Sequence, residues 1–329
     1  MNPIAPHITA FLCEWLPGQR TASEHTCDAY AYTFKLLFKY TSDRLNTVPS
    51  SLVLEQIDSL LIQEFLKHLE TARGNCPATC NARLAAIKSF ARFVEYRTPS
   101  FLEQSRQILA IPTRKTDTKL VKHLTVVEIQ AILNAPDPEN QWGIRDRAMI
   151  HLCFAAGLRV SELISLPSSA VQLNPNPNIH VLGKGRRERS LCLLKQTVSD
   201  LRAWIDVREP QPGVTQLFVN MRGLPMTRAG FEYILSKHTK RAQESCLTLS
   251  KQHISPHVLR HSCAMMIFQA TGDLRKVSLW LGHADMQTTE VYLRADPTEK
   301  LEAIENLNLP SLRRGHYKVS DALIASLHG

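Results

Sequence analysis

The stretch LGHADMQTTEVYLRA, residues 281–295, decides how the second half of the chain is interpreted. It places the pair Gly282-His283 nine positions before Tyr292 in a short amphipathic segment. A tyrosine there either packs in the core or reacts as a phenol. A phenol with a pKa near 10 is a poor nucleophile at neutral pH unless cations surround it. The remaining sequence must therefore show whether those cations are present.

Composition favours a protein of two domains. Of the 329 residues 44% are hydrophobic, enough for two separate cores. The chain has no long uninterrupted apolar run and no secretory signal at its start, so we expect a cytoplasmic protein without a membrane partner. Its 8 cysteines lack a second Cys or His pair at metal-ligand spacing, which favours reduced thiols and predicts neither a metal nor a cofactor.

The charge is basic and uneven. The formal net charge is +9, and nearly all of the excess lies after residue 112. Such a balance favours an anionic partner, although a solvated surface gives the same composition.

Residues 1–110 have the periodicity of a helical bundle. Apolar residues recur at spacings of three and four, for example Leu84, Ile87, Ala91 and Val94, and breaker clusters separate the periodic segments. The pattern predicts an all-α domain with helices at 7–16, 24–40, 57–70 and 78–96.

Residues 111–123 lack a sustained apolar period, which predicts a linker before a second domain at 124–329. Thr125 and Glu128 match a capping box, so a helix starts there, and a long apolar helix at 144–156 ends before Gly157. Short β-like runs at 171–173, 179–182 and 190–194 predict a small antiparallel sheet. Helical patterns return after Arg228, so the second domain is expected to be mainly α with that sheet, an α+β fold.

Four stretches of the second domain carry reactive residue types in a fixed order. They are GLRVSEL at 157–163, GKG at 183–185, HVLRH at 257–261, and LGH at 281–283 followed by Tyr292. In this order and spacing they closely resemble the tyrosine recombinases, also called the phage integrase family. Each motif is weak alone, whereas the ordered set is specific. The helical first domain also resembles the core-binding, SAM-like domain of that family.

The resemblance implies a catalytic site for a DNA phosphate. Its residues here are Arg159, Lys184, His257, Arg260, His283 and Tyr292, with Glu162 at the acidic position. Attack on a phosphodiester builds negative charge on the non-bridging oxygens, which preorganised donors must meet. Arg159 and Arg260 would each contact the phosphate through two parallel hydrogen bonds. A surface ion pair, such as Arg159 with Glu162, is the alternative for each.

The remaining roles are implied by the same resemblance. Lys184 is the general acid that protonates the leaving 5′ oxygen, and His257 and His283 face the phosphate. Tyr292 attacks and forms a covalent 3′-phosphotyrosyl link, which a free 5′-hydroxyl of another strand can reverse. Packing in the core is the alternative for Tyr292.

Further basic side chains are expected to contact the DNA backbone. Arg83, Lys88 and Arg92 lie off the apolar stripe of their helix, either as a phosphate-contacting face or as an ordinary solvated one. Arg186 and Arg187 follow Lys184 in the turn between two predicted strands. The expected partner is double-stranded DNA with a short inverted-repeat core site, and no small-molecule substrate is expected.

Three other functions agree with parts of the sequence. A metal-dependent nuclease needs converging carboxylates, and no such cluster is visible. A type IB topoisomerase shares the chemistry but differs in architecture. A member of the fold that binds DNA without cleaving it would not need candidates at all seven positions.

The resemblance also implies an assembly. Two domains clamp the duplex, and four protomers exchange strands in pairs through a Holliday junction. The first domain begins almost at Met1, so we expect a simple core site without an arm-binding domain. A tail at 298–329 has apolar residues at helical spacing, from Val319 to Leu327. Its part after residue 309 runs past the point where the short chromosomal members of the family usually stop, which favours a mobile-element enzyme over dimer resolution. This tail docks on a neighbouring protomer or on its own domain.

Overall fold

The computed structural model describes residues 2–116, 121–183, 188–282 and 289–295. The chain divides into two compact units, Met1–Thr118 and Lys119–Gly329. Both are mainly helical and the second contains a three-stranded antiparallel sheet, so the predicted fold class is confirmed. Within the described ranges, no helix is long and apolar enough to cross a lipid bilayer.

The first unit consists of helices joined by short turns. Its elements are α1 (Ile4–Thr9), which continues as a π-helix (Ala10–Gln19), then α2 (Glu24–Leu45), α3 (Ser59–Thr71), α4 (Pro77–Arg97) and α5 (Leu102–Ala110), with 3-10 turns at Pro49–Ser51, Leu54–Gln56 and Pro99–Phe101. Side chains cap two of the helix starts: Ser23 accepts the Thr26 N–H and Asp58 accepts the Leu61 N–H.

The prediction of four helices for this unit was incomplete. The additional helix, α5, buries only Ser105 and Ile108, so its nine residues show too short an apolar stripe to be recognised. Tertiary packing stabilises it, because α5 contacts α3 and α4. The Ser105 hydroxyl donates to the Ala91 carbonyl at 3.2 Å.

Phenylalanine rings fill the centre of the first unit. Phe11 is fully buried, and its ring centroid lies 6.0 Å from that of Phe34, 5.3 Å from Phe90 and 5.4 Å from Phe93. These rings join the π-helix to α2 and α4, so a single side chain links three segments of the chain.

The second unit combines helices with the small sheet. Its elements are α6 (Val126–Asn134), α7 (Gln141–Ala155), α8 (Val160–Ser165), β1 (Val171–Gln172), β2 (Asn178–Leu182), β3 (Glu188–Cys192), α9 (Lys195–Val207), α10 (Arg228–Ala242), α11 (Pro256–Thr271), α12 (Leu274–Leu281) and α13 (Val291–Ala295), with 3-10 turns at Ser168–Ala170 and Leu247–Lys251. The strand order is β1-β2-β3, and Ile179 pairs with both Val171 and Leu191. Helix α11 packs on α7 and on α12.

The predicted capping box at the start of α6 is present. The Thr125 hydroxyl accepts the Glu128 N–H at 3.3 Å, and the Glu128 carboxylate accepts the Thr125 N–H at 2.9 Å. The other oxygen of Glu128 accepts the Thr248 hydroxyl at 2.7 Å. A local signal in the sequence therefore also ties α6 to a distant turn.

Replacing Phe11 with alanine should lower the free energy of unfolding by about 3–5 kcal/mol, because the void would lie among three other rings. Urea unfolding followed by circular dichroism measures the loss. Tyr96→Ala is the matched control, since Tyr96 of the same unit is 94% exposed. A loss for Phe11→Ala no larger than that of the control would show that the ring cluster does not hold the unit together.

Candidate active site

At one edge of the candidate site, the turn after α7 lies close to the end of α12. Gly157 ends the turn after α7 in the left-handed region, with φ of 58°, and a Cβ built on it would lie 2.6 Å from the Leu281 side chain and 3.2 Å from Cys263 Sγ. Only glycine accommodates both the conformation and the close approach. The start of α8 is therefore held against α11 and the end of α12.

Arg159 and Glu162 form a paired unit at the start of α8. The Glu162 carboxylate accepts the backbone N–H of Arg159 at 2.9 Å and its Nη1 at 2.8 Å. The Arg159 side chain stays 29% exposed, whereas that of Glu162 is 4% exposed. The ion pair that the spacing of the two residues allows therefore exists, and it leaves the guanidinium open to solvent.

Arg260 is buried and bonded to the main chain. Its Nη1 donates to the Gly157 carbonyl, and its Nη2 donates to the Leu281 carbonyl at 2.7 Å. Burial, and next the charge of Arg159, lowers the pKa of Arg260 to about 10. Because this value is far above 7, the group remains a cation, and it is close enough to influence Tyr292 electrostatically.

Tyr292 lies in the core while its hydroxyl is bonded to a histidine. The ring is 1% exposed and packs with Phe268, Val277 and Leu281. Its hydroxyl lies 2.9 Å from Nδ1 of His261. Burial raises the pKa of Tyr292 to about 12 and lowers the pKa of His261 to about 4. The imidazole and the phenol are therefore both neutral and share one hydrogen bond. The packing alternative for Tyr292 describes this conformation, in which the phenol keeps its proton.

The structure places some of the predicted residues and not others. His257 is exposed at the second position of α11, one turn before the buried Arg260. Four predicted residues lie outside the described residues: Lys184, Arg186, Arg187 and His283. The apolar tail beyond residue 298 also lies outside them. Among the described residues, no group of three or more His, Cys, Asp or Glu is arranged to hold a metal ion.

The basic residues predicted on α4 make contacts inside the first unit. Arg83 Nη1 donates to the Thr33 hydroxyl at 2.9 Å, and its guanidinium lies over the Tyr32 ring at 4.9 Å. The Lys88 ammonium donates to the Ile111 carbonyl at 2.6 Å, and burial, with Arg92 next, lowers the pKa of Lys88. Arg83 and Lys88 are therefore half-buried and hydrogen-bonded within the first unit.

Lys88 and Arg92 also line a cavity of about 420 Å³. Arg20 lines the same cavity, although it precedes α4 by more than fifty residues. Three basic residues therefore come together around one cavity of the first unit. Arg20 could not be predicted, since only the fold brings it to α4.

Two further residues of the candidate site were given no role by the sequence analysis. Arg189 on β3 donates to both oxygens of Glu162, at 3.0 and 2.8 Å. The sequence does contain a sign of Arg189: it lies two positions before the buried Leu191, so both side chains are on the inward face of the strand. His261 lies 31 residues from Tyr292, and no sequence signal connects the pair.

Comparison with known proteins assigns this unit to the DNA strand-transferring enzymes that need no metal. The family model for the phage integrase family matches residues 122–299, and the model for the phage integrase N-terminal SAM-like domain matches residues 8–97. The chain belongs to the phage integrase family, the tyrosine recombinases, as the sequence predicted.

Relatives match over nearly the whole chain. The y4rC protein of Sinorhizobium fredii, whose name describes an integrase/recombinase, is 36% identical over 99% of this chain and 98% of its own length. The tyrosine recombinase XerC of Pelobacter propionicus is 30% identical over 93% of this chain and 96% of its own. The crystal structure of the XerH recombinase with a palindromic difH substrate shares the fold, with a TM-score of 0.66, 24% identity, and coverage of 87% of this chain and 81% of XerH.

The burial of His261 predicts an acid-sensitive stability. The lowered pKa of His261, caused by burial and then by the charges of His257 and Arg260, means that the neutral ring is favoured in the fold. This contribution is complete above about pH 6.5 and is lost as the pH falls towards 4. Urea unfolding at pH 7 and 4.5 should show a larger loss for the wild type than for His261→Gln, whose amide can still accept the phenol but cannot titrate. Equal losses would contradict the expected pKa shift.

Proposed function

We propose that this protein is a site-specific recombinase that cleaves and rejoins double-stranded DNA at a short inverted-repeat core site. It acts through a covalent 3′-phosphotyrosyl intermediate formed by Tyr292 and through a Holliday junction. One observation carries the proposal: Arg260 donates to the Gly157 carbonyl, two residues before Arg159, and the adjacent His261 is hydrogen-bonded to the phenol of Tyr292. The two arginines and the phenol therefore belong to one site, where both cations could bind a phosphate that the phenol attacks.

The proposed roles follow from charge and exposure. Arg159, the more exposed guanidinium, receives the phosphate first, and Arg260 is the fixed cation behind it. Glu162 orients Arg159, His257 and His283 donate to phosphate oxygens, and Lys184 protonates the leaving 5′ oxygen.

The nucleophile requires a rearrangement. Tyr292 is 1% exposed, so a phosphate cannot reach its oxygen in the described conformation. We infer that DNA binding exchanges the His261 partner of the phenol for the phosphate. The Tyr292 oxygen then loses its proton to water and bonds to phosphorus, while the bond to the 5′ oxygen breaks and Lys184 gives that oxygen a proton.

The names of the relatives support the biological role. XerH was crystallised on a palindromic substrate in a post-cleavage complex, which supports inverted repeats as the target here. We propose integration or excision of a mobile element rather than chromosome- or plasmid-dimer resolution. The integrase/recombinase name of the relative with 36% identity supports this choice, whereas the relative with 30% identity is named XerC. We propose a tetramer on DNA in the cytoplasm, with Arg20, Lys88 and Arg92 contacting the duplex backbone and the tail 298–329 docking on a neighbour.

Tyr292→Phe should bind DNA like the wild type and form no covalent adduct, because the phenylalanine ring keeps the packing and lacks the attacking oxygen. The substrate is a nicked duplex carrying a sequence selected by its binding to the wild-type protein, and denaturing gel electrophoresis detects the adduct. An adduct with Tyr292→Phe would place the nucleophile at another residue. An absent adduct with the wild type would count against the proposed chemistry.

Arg159→Ala should lower the single-turnover rate of adduct formation by at least about 100-fold, the scale for removing one donor to transition-state charge. Its DNA affinity, measured by gel shift, should change far less, since many cations share the backbone contacts. Arg202→Ala is the matched control, because Arg202 is an exposed arginine of the same unit bonded only to Asn174 among the described residues. A loss of affinity equal to the loss of rate would make Arg159 an ordinary DNA contact.

A further inference from the structure

Arg189 is a buried cation whose position is set by the sheet. Strand β3 pairs it in register with Val181 and turns its side chain to the same face as Leu191. The side chain is 11% exposed. A guanidinium withdrawn from water in this way is tolerated only when anionic or polar partners compensate it.

Glu162 is the partner, and its acceptor capacity is filled. One oxygen accepts Nη1 of Arg189 at 3.0 Å and Nη1 of Arg159 at 2.8 Å. The other accepts Nη2 of Arg189 at 2.8 Å and the backbone N–H of Arg159 at 2.9 Å. A carboxylate offers about four acceptor positions, and these two arginines occupy all of them.

We propose that Arg189 is a positioning residue for strand transfer, which fixes Glu162 and leaves Arg159 with a net positive charge for the phosphate. The inference rests on the proposed function. One carboxylate between two guanidinium groups leaves one positive charge. Arg159 presents that charge, since its side chain is 29% exposed and that of Arg189 is 11% exposed. Without Arg189, Arg159 and Glu162 would form a neutral pair, which attracts a phosphate less strongly.

The alternative is that Arg189 itself contacts the phosphate. Its two terminal nitrogens both donate to Glu162, and its side chain is only 11% exposed, against 29% for Arg159. A phosphate therefore reaches the free N–H donors of Arg159 more readily than those of Arg189. Burial acts to raise the pKa of Glu162, and the hydrogen bonds from Arg189 are the largest of the opposing contributions that bring it below its ordinary value. Arg189 is therefore the partner that most stabilises the ionised form of Glu162.

Arg189 also lies under the turn that leads to His283. Gly282 has φ of 64°, and a Cβ built on it would lie 3.0 Å from Cδ and 3.1 Å from Nη1 of Arg189. The same side chain therefore touches the segment that carries Arg159 and the segment that precedes His283. Its removal would disturb two parts of the candidate site.

The test is a pair of substitutions measured in adduct formation. Arg189→Met should lower the single-turnover rate by about 100-fold or more, with DNA affinity changed by less than about 3-fold. Adding Glu162→Gln should raise the rate above that of Arg189→Met, because removing the unbalanced carboxylate frees the charge of Arg159. Arg202→Met, at the exposed arginine of the same unit, should match the wild type. The single variant Glu162→Gln is measured as well. If the rate losses of Arg189→Met and Glu162→Gln multiply in the double variant, and if DNA affinity falls in proportion to the rate, Arg189 is a DNA contact and the proposal is wrong.

Thermal unfolding gives a second readout that does not depend on activity. Arg189→Met should lower the melting temperature, since it leaves a buried carboxylate half paired, and Glu162→Gln should recover part of that decrease in the double variant. Should Arg189→Met fail to fold, Arg189→Lys replaces it, because lysine keeps the positive charge but cannot donate to both carboxylate oxygens as a planar fork. Additive shifts would refute the pairing. A wild-type protein without adduct would refute the recombinase chemistry instead, while the melting temperatures would still decide the role of Arg189.

Discussion

The buried guanidinium of Arg260 is the group on which the catalytic unit depends. It donates to the carbonyl of Gly157 before α8 and to the carbonyl of Leu281 at the end of α12, so three segments distant in sequence are fixed at one point. A buried charge is stable only with such partners, and its removal would in turn take one hydrogen-bond donor from each of the two carbonyls. The same group remains charged because its lowered pKa is still about 10. The Arg260 side chain therefore both fixes these segments and supplies a positive charge.

Local signals in the sequence predicted much of this fold. The capping box at Thr125, the turn at Gly157 and the short β-like runs are each encoded within a few residues, and each is found in the structure. The helix α5 was missed because only tertiary contacts stabilise its short stripe. Family motifs indicated Arg159, Glu162, Arg260 and Tyr292 for the site, whereas their partners depend on the fold.

The partners that were missed share a physical reason. Arg189 meets Glu162 across 27 residues, His261 meets Tyr292 across 31, and Arg20 reaches the cavity of α4 from the end of the π-helix. Sequence patterns report which face of an element is apolar, but they do not report which polar group lies opposite. An inward-facing arginine on a strand does indicate a buried acid, without identifying it.

On the proposed mechanism, the burial of the Tyr292 phenol limits cleavage at DNA that is not the target. A protein with many cations meets non-specific DNA far more often than its target, and such encounters reach dissociation constants of roughly 10⁻⁴–10⁻⁶ M at physiological salt. With Tyr292 as nucleophile, a phenol held in the core by His261 and apolar neighbours cannot react during those encounters. The apparent rate at any DNA is scaled by the fraction of molecules with the phenol released. Fidelity then depends on how strongly each DNA sequence favours release, in addition to how tightly it is bound.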